Sequence, residues 1–306
     1  MKKIYIDGQA GTTGLQIHER LKNRSDLEVL EIDEAHRKDP KARRALMEQA
    51  DLVFLCLPDS AAKEAVALME GLDTKIIDAS TAHRTQDDWA YGFAELDNAH
   101  KEAIIQAKKT ANPGCHASGV IALVYPLIKA GLLDPNYPIC SFSLTGYTGG
   151  GKKMIADYEQ NKTEEMESPK PYGLSGNHKH IPEIKKVCSL NKASLFVPVV
   201  ADYDQGMLVT VELPRQALGE DMNVEKLTAF YADWYQSPLI QVKSGQEALY
   251  SNTMKGKDSM ELIINGGENG YFLSARFDNL GKGASGAAVE NMNLMLGLDP
   301  YAGLNL

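Results

Sequence analysis

KIYIDGQAGTTGLQIHERL, residues 3–21, decides the fold. Lys3–Asp7 is a short apolar strand. Gly8, Gly11 and Gly14 punctuate a turn, and Leu15, Ile17 and Leu21 place apolar positions on a helix over 12–23. A glycine turn between strand and helix lets the backbone bend sharply and approach a pyrophosphate. The open N–H groups and positive dipole end of the helix can then hold that anion. Working outward, the same rhythm repeats. A strand at Leu27–Ile32 precedes a helix at 40–50 with Pro40 at its first position. The nearly unbroken apolar run Asp51–Leu57 ends at Pro58 and precedes a helix at 60–70 and a strand at Lys75–Ala79. A continuous apolar run is how a strand covered on both faces reads, so the alternation predicts a doubly wound parallel sheet.

This α/β reading places a Rossmann-type dinucleotide-binding domain at residues 1–115. The pattern then changes. Residues 117–131 read as a helix interrupted by Pro126 and stopped by Gly131. Longer strand runs follow at Ile139–Thr145, Ser194–Val200, Met207–Leu213, Glu261–Asn265 and Tyr271–Phe277, with helices mainly at 180–190 and 223–236. They predict an α+β domain over 116–279 with a mixed or antiparallel sheet. Residues 146–177 show no period and read as a long loop. A last helix, about 283–297, follows a glycine-rich loop and is expected to return to the first domain, so that 280–306 completes it.

The composition narrows the function classes. The chain has 306 residues, 43% hydrophobic and 24% charged, with a formal net charge of −9. That is a globular mixture, and an acidic balance argues against nucleic-acid binding. Cys56, Cys115, Cys140 and Cys188 form no C-x-x-C pair, so neither a disulfide framework nor a zinc site is expected, and all but Cys115 read as buried filler. MKKIYIDG passes straight into a strand without an apolar signal region, and no apolar run is long enough to span a bilayer. A cytoplasmic protein without membrane partners is the expectation.

Several motifs carry chemistry. In Asn112-Pro-Gly-Cys115, the turn delivers a thiol to a helix N-terminus, whose N–H groups favour thiolate and can hold an oxyanion. In His178-Lys179-His180-Ile-Pro-Glu183, a histidine can serve the thiol as acid and base, whereas two histidines without a third ligand make a poor metal site. Ser80-Thr-Ala-His-Arg84 lies at the carboxyl end of a strand, where Arg84 can grip phosphate or carboxylate. Asp278-Asn279-Leu-Gly-Lys282-Gly283 again allows close backbone approach to a ligand. After the second strand, Asp33 favours the free ribose of NAD, whereas Arg37 and Lys38 favour the 2′-phosphate of NADP.

In this order and over essentially the whole chain, these motifs resemble the N-acetyl-gamma-glutamyl-phosphate reductase family in its shorter form, within the semialdehyde dehydrogenase superfamily. NPGC at 112–115 and DNLGKGASG at 278–286 are the specific part. The resemblance implies NADP(H)-dependent reduction of an acyl phosphate to an aldehyde in arginine biosynthesis. It implies a thioester on Cys115 and an acid/base role for His180 or His178, with His180 protonating the oxygen formed on hydride transfer. Arg84, Asn112, Glu183 and Lys179 would bind substrate. Gly8, Gly11, Thr12, Thr13, Gly14, Arg37, Lys38, Ser80, Asn279, Lys282 and Gly283 would bind the cofactor, with no metal. It also implies that the α+β domain serves substrate binding and dimerisation, in a homodimer or homotetramer. Asp33 departs from NADP preference. The same chemistry on aspartyl or N-acetyl-aminoadipyl phosphate, a non-catalytic NADP sensor and a metal-dependent hydrolase are the competing readings.

Overall fold

A computed structural model describes residues 1–306. In its first compact unit the elements run β1 (Lys2–Asp7), α1 (Thr12–Leu21), β2 (Leu27–Leu30), α2 (Pro40–Gln49), β3 (Leu52–Leu55), α3 (Asp59–Leu68), β4 (Lys75–Asp78), β5 (Ala90–Tyr91), α4 (Asn98–Gln106) and β6 (Lys109–Ala111). The strands form one parallel sheet in the order β2-β1-β3-β4-β6-β5. The order reverses between β1 and β3, and the carboxyl ends of strands at such a reversal are where this architecture binds ligands. Side chains alternate across the sheet as period two requires. Ile4, Ile6, Phe54 and Ile77 pack with Ile17 and Leu21 of α1, while Tyr5, Val53, Leu55 and Ile76 pack with Met47 and Ala65 of α2 and α3. Leu15, read from sequence as a core position, is exposed. Gly14 takes the inward position with Ile17 and Leu21, and Leu15 lies one residue further around the helix. The short elements β5, α4 and β6 gave no sequence signal.

The chain crosses to a second compact unit between Pro113 and Gly114 and returns between Gly283 and Ala284, with residues 305–306 again in the second. Cys115 and residues 280–283 therefore belong to the second unit, not to the first as their placement in sequence suggested. This unit contains α5 (Cys115–Lys129), β7 (Cys140–Gly146), α6 (Gly151–Gln160), β8 (Lys170–Pro171), α7 (Ile181–Val187), β9 (Leu195–Ala201), β10 (Met207–Pro214), α8 (Val224–Trp234), β11 (Ile240–Ser244), β12 (Met260–Gly266) and β13 (Gly270–Phe277). Its sheet is mixed, in the order β11-β12-β13-β10-β7-β9-β8, with β7–β9 and β11–β12 parallel. After it, α9 (Gly286–Leu296) packs against α1, α4 and β4 in the first unit.

Two sequence expectations need correction here. Pro126 does not interrupt α5, which runs through it. A proline inside a helix costs about 3 kcal/mol and strands the carbonyl four residues earlier. That carbonyl, Ala122 O, accepts a hydrogen bond from the Tyr235 hydroxyl at 2.8 Å, and the next, Leu123 O, accepts one from Tyr231. Nor is 146–177 a structureless loop: it holds α6, β8 and two 3-10 turns. The glycine run at 149–151 and the charges of α6 hide an amphipathic pattern of Met154, Ile155 and Tyr158.

Candidate active site

In the first unit, β1 delivers the chain to Gly8, whose φ of +89° needs a residue without a side chain. A Cβ there would overlap the Cys56 carbonyl, and one on Gly14 would lie 2.6 Å from Gly8 O. Gly11 N donates to Gly8 O at 2.9 Å and closes the turn. Helix α1 then opens at Thr12 with no side-chain cap, so the first-turn N–H groups face outward for an anion. Thr12 Oγ1 is buried without a hydrogen-bond partner. A cradle that excludes Cβ atoms, an uncapped helix and an orphaned hydroxyl fit the pyrophosphate of a nicotinamide cofactor. Below the turn, burial holds the Asp7 carboxyl above the usual carboxylate range, against the opposing effect of Arg43. Arg43 pairs with it at 2.6 Å, a buried pair that sequence reading missed. Beyond β2, Asp33 accepts its own turn's Ala35 N–H at 2.8 Å, while Arg37 is half exposed and pairs with Glu34 at 2.6 Å. The acid that favours NAD is thus occupied locally, and Lys38 is exposed beside Arg37.

Several residues assigned to ligands also have partners within the protein. Ser80 Oγ donates to Asp78 at 2.7 Å, and His83 Nδ1 lies 2.6 Å from the same carboxylate oxygen while its ring stacks on Trp89. Arg84 directs Nε to Asn112 O at 2.9 Å and a terminal nitrogen to Ala79 O at 3.0 Å. Asn112 donates to Ala284 O and accepts from Asn291, whose side chain also reaches Gly92 O. These groups brace the strand ends. One donor and one acceptor position of the Asn112 amide are thus used within the protein.

In the second unit, Cys115 is the first residue of α5, half-buried and in no disulfide. Helix α5 has no side-chain cap, so its first-turn N–H groups are open at the end that carries the thiol. Gly283 packs on it: an added Cβ would lie 3.0 Å from Cys115 Cβ. Three histidines gather in the same unit. The His178 and His180 ring centroids are 4.8 Å apart, and His116 is 5.7 Å from each. His178 Nδ1 accepts the His180 backbone N–H at 3.3 Å, and burial, helped by Lys179, lowers its pKa to about 4. Burial, with His178 and Lys179 adding to it, lowers that of His116 to about 3. His116 also lies 2.6 Å from Ser143 Oγ and 3.0 Å from the Tyr172 hydroxyl. Sequence reading missed Ser143 and Tyr172 altogether, and the place of His116 directly after the thiol was the only signal for it.

Glu183 is buried and accepts the Gly114 N–H at 2.8 Å, so at least one of its oxygens faces protein rather than substrate. Asn279 accepts Gly206 N–H at 2.8 Å and donates to Thr148 at 3.0 Å. Lys282 is buried within the second unit, and Lys179 is exposed. Cys140, read as buried, is exposed at the start of β7. Burial, aided by Asp78 and Asp7, pushes the Cys56 thiol up to about 12, and burial also raises that of Cys188. Neither suits a nucleophile.

Residues 3–104 match the family described as semialdehyde dehydrogenase, NAD binding domain, and residues 115–279 match semialdehyde dehydrogenase, dimerisation domain. Among solved structures, aspartate semialdehyde dehydrogenase II from Vibrio cholerae, complexed with ASA, superposes with a TM-score of 0.73 at 15% identity, over 97% of this chain and 98% of that one. Aspartate semialdehyde dehydrogenase with NADP from Candida albicans superposes with a TM-score of 0.67 at 13% identity, over 99% of both. At such identities the likeness shows the fold. The N-acetyl-gamma-glutamyl-phosphate reductase of Brucella anthropi is 46% identical over 96% of this chain and 98% of its own length. That of Sinorhizobium medicae is 45% identical over the same shares. With a glycine turn in one unit, a thiol at an open helix end in the other and this identity along nearly the whole length, the chain belongs to the N-acetyl-gamma-glutamyl-phosphate reductase family.

Proposed function

We propose that the chain reduces N-acetyl-L-glutamyl 5-phosphate to N-acetyl-L-glutamate 5-semialdehyde and phosphate through a thioester on Cys115. The observation that carries this reading is the thiol at the uncapped start of α5, in one unit with His178 and His180. His180 takes the thiol proton as sulfur attacks the acyl carbon, and passes it to the departing phosphate oxygen. NADPH, once bound, would supply the hydride that reduces the thioester carbon. The first-turn N–H groups of α5 hold the resulting oxyanion, and its collapse breaks the C–S bond, releasing aldehyde and thiolate. His178 is the weaker choice for the proton, because its Nδ1 already accepts the His180 backbone N–H. Arg37 and Lys38 favour NADP, since Asp33 is turned onto its own backbone.

The reading includes a cytoplasmic, symmetric oligomer. No helix is long and apolar enough to cross a membrane. Phe142, Leu195, Val197 and Phe272 are exposed on one face of the second sheet, where the register sets Val197 beside Phe142 and Phe142 beside Thr210. A second copy of the chain would cover that apolar row.

The test mixes the protein with N-acetyl-glutamate semialdehyde, phosphate and NADP or NAD, and follows reduced-nicotinamide absorbance. Phosphate-dependent reduction that prefers NADP is the expected result. A signal only with aspartate semialdehyde would move the substrate and keep the mechanism. Silence with every aldehyde, despite NADP binding, would overturn the reading.

A further inference from the structure

We propose that Glu183 is a positioning residue that ties the peptide ahead of the nucleophile to the helix that carries the acid/base histidine. The inference rests on the thioester reading. Gly114 precedes Cys115 and has an extended backbone at φ −78°, ψ 139°. Both of its polar groups are held from outside. Its carbonyl accepts Ser118 N–H at 2.8 Å and the Ser118 hydroxyl at 3.1 Å, bonds that begin α5. Its N–H goes to Glu183 Oε1 at 2.8 Å, across 69 residues of chain.

Glu183 is 1% exposed and lies in the first turn of α7, whose N-terminal flanking residue is His180. Helices α5 and α7 pack directly on each other. The His180–Glu183 spacing is one helical turn, so a single rigid segment presents the histidine and grips the nucleophile's turn. No other hydrogen bond to Gly114 N is needed. Neither Gly114 nor α5 has a side-chain cap of its own, and the carboxylate supplies from a distance the bond to the N-cap N–H that a Glu three residues on supplies in a capping box. Losing it frees the 113–115 peptides to rotate. Rotation moves the thiol and the N–H groups that must meet the oxyanion, and a shift near 1 Å costs about 10²-fold in rate.

The experiment compares Glu183→Ala and Glu183→Gln as full-length enzymes in the forward and reverse assays, with kcat and KM measured separately. Glutamine keeps an acceptor oxygen at the same reach and alanine does not. The expected result is a kcat loss of roughly 10- to 100-fold in Glu183→Ala with the acyl-phosphate KM within about threefold of the parent. Glu183→Gln should recover kcat to within about threefold. Nicotinamide binding, read by fluorescence, should be unchanged in both. Parental kcat in Glu183→Ala overturns the proposal, as does a Glu183→Gln enzyme as slow as the alanine variant. A loss confined to KM also overturns it, by making Glu183 a substrate contact. If Glu183→Ala does not fold, the Glu183→Gln rate and KM decide alone. Turnover surviving in Cys115→Ala, run alongside, would instead defeat the thioester reading, so the two failures remain distinct.

Discussion

The two turns at the heart of this molecule use one device and secure it in opposite ways. At residues 8–14 and again at 112–115, glycine leads the chain into an uncapped helix N-terminus. The first turn is held by what is missing: Gly8 and Gly14 have no side chains, and the backbone closes on itself through Gly11 N and Gly8 O. The second is held by what arrives from elsewhere: Glu183 on the N–H before the thiol, Ser143 and Tyr172 on the histidine after it, and Gly283 against its flank. A turn that only has to cradle an anion can be built from local residues. A turn that must aim a reacting sulfur needs partners distant in sequence.

The comparison can be broken hardest at the thiol. Cys115→Ala should lower kcat by roughly 10⁴-fold or more while leaving the NADPH dissociation constant unchanged, measured by turnover and fluorescence titration. Loss of cofactor affinity would mean the turns are not separable devices. Next is the glycine cradle. Gly14→Ala sets a Cβ 2.6 Å from Gly8 O, whereas Gly11→Ala meets it at 3.3 Å. The first should cost about 1–3 kcal/mol of stability and weaken NADPH binding about tenfold or more, and the second should cost clearly less. Equal effects would show that close packing is not what shapes this turn.

A third test sharpens the contrast through pH. The folded pKa of His116 is lowered to about 3 by burial. The unfolded chain takes up a proton near pH 6.5 that the folded chain refuses until about 3. Its contribution is therefore complete above about pH 6.5 and is lost as pH falls, at about 1.4 kcal/mol per pH unit within that window. Urea unfolding from pH 7 to 5 should show this slope, and His116→Asn should remove about one proton from it. An unchanged slope would place the acid sensitivity outside the thiol's turn. The smallest expected effect is at Arg37. Its removal should reduce the preference for NADPH over NADH by roughly five- to tenfold with kcat unchanged. No change would leave it merely the partner of Glu34.

Sequence reading reached the glycine turn and Cys115 because their signals are local: a strand, a fixed glycine spacing and a helix. It did not foresee the protein partners of Arg84, Asn112 and Asn279, because a polar residue in a loop looks alike whether it faces ligand or backbone. Only the fold shows Arg84 on Asn112 O and Asn279 between Gly206 and Thr148. It likewise took Pro126 as a break, because the rescuing hydroxyl of Tyr235 lies 109 residues beyond. The parallel sheet of the first unit was legible from apolar strand runs alternating with helices, whereas β5 and β6 are too short for any such run to register.

Helix α5 has a further consequence. From His116 to Leu127 it is buried on every side. Amides in such a helix exchange with deuterium only when the surrounding structure opens as a whole. The thiol at its tip thus stands on a slowly exchanging segment, and the Gly114 N–H just before it, bonded to the buried Glu183, shares that protection. Deuterium uptake should then stay low on both sides of Cys115, and fast uptake at Gly114 alone would show that the turn opens without the helix.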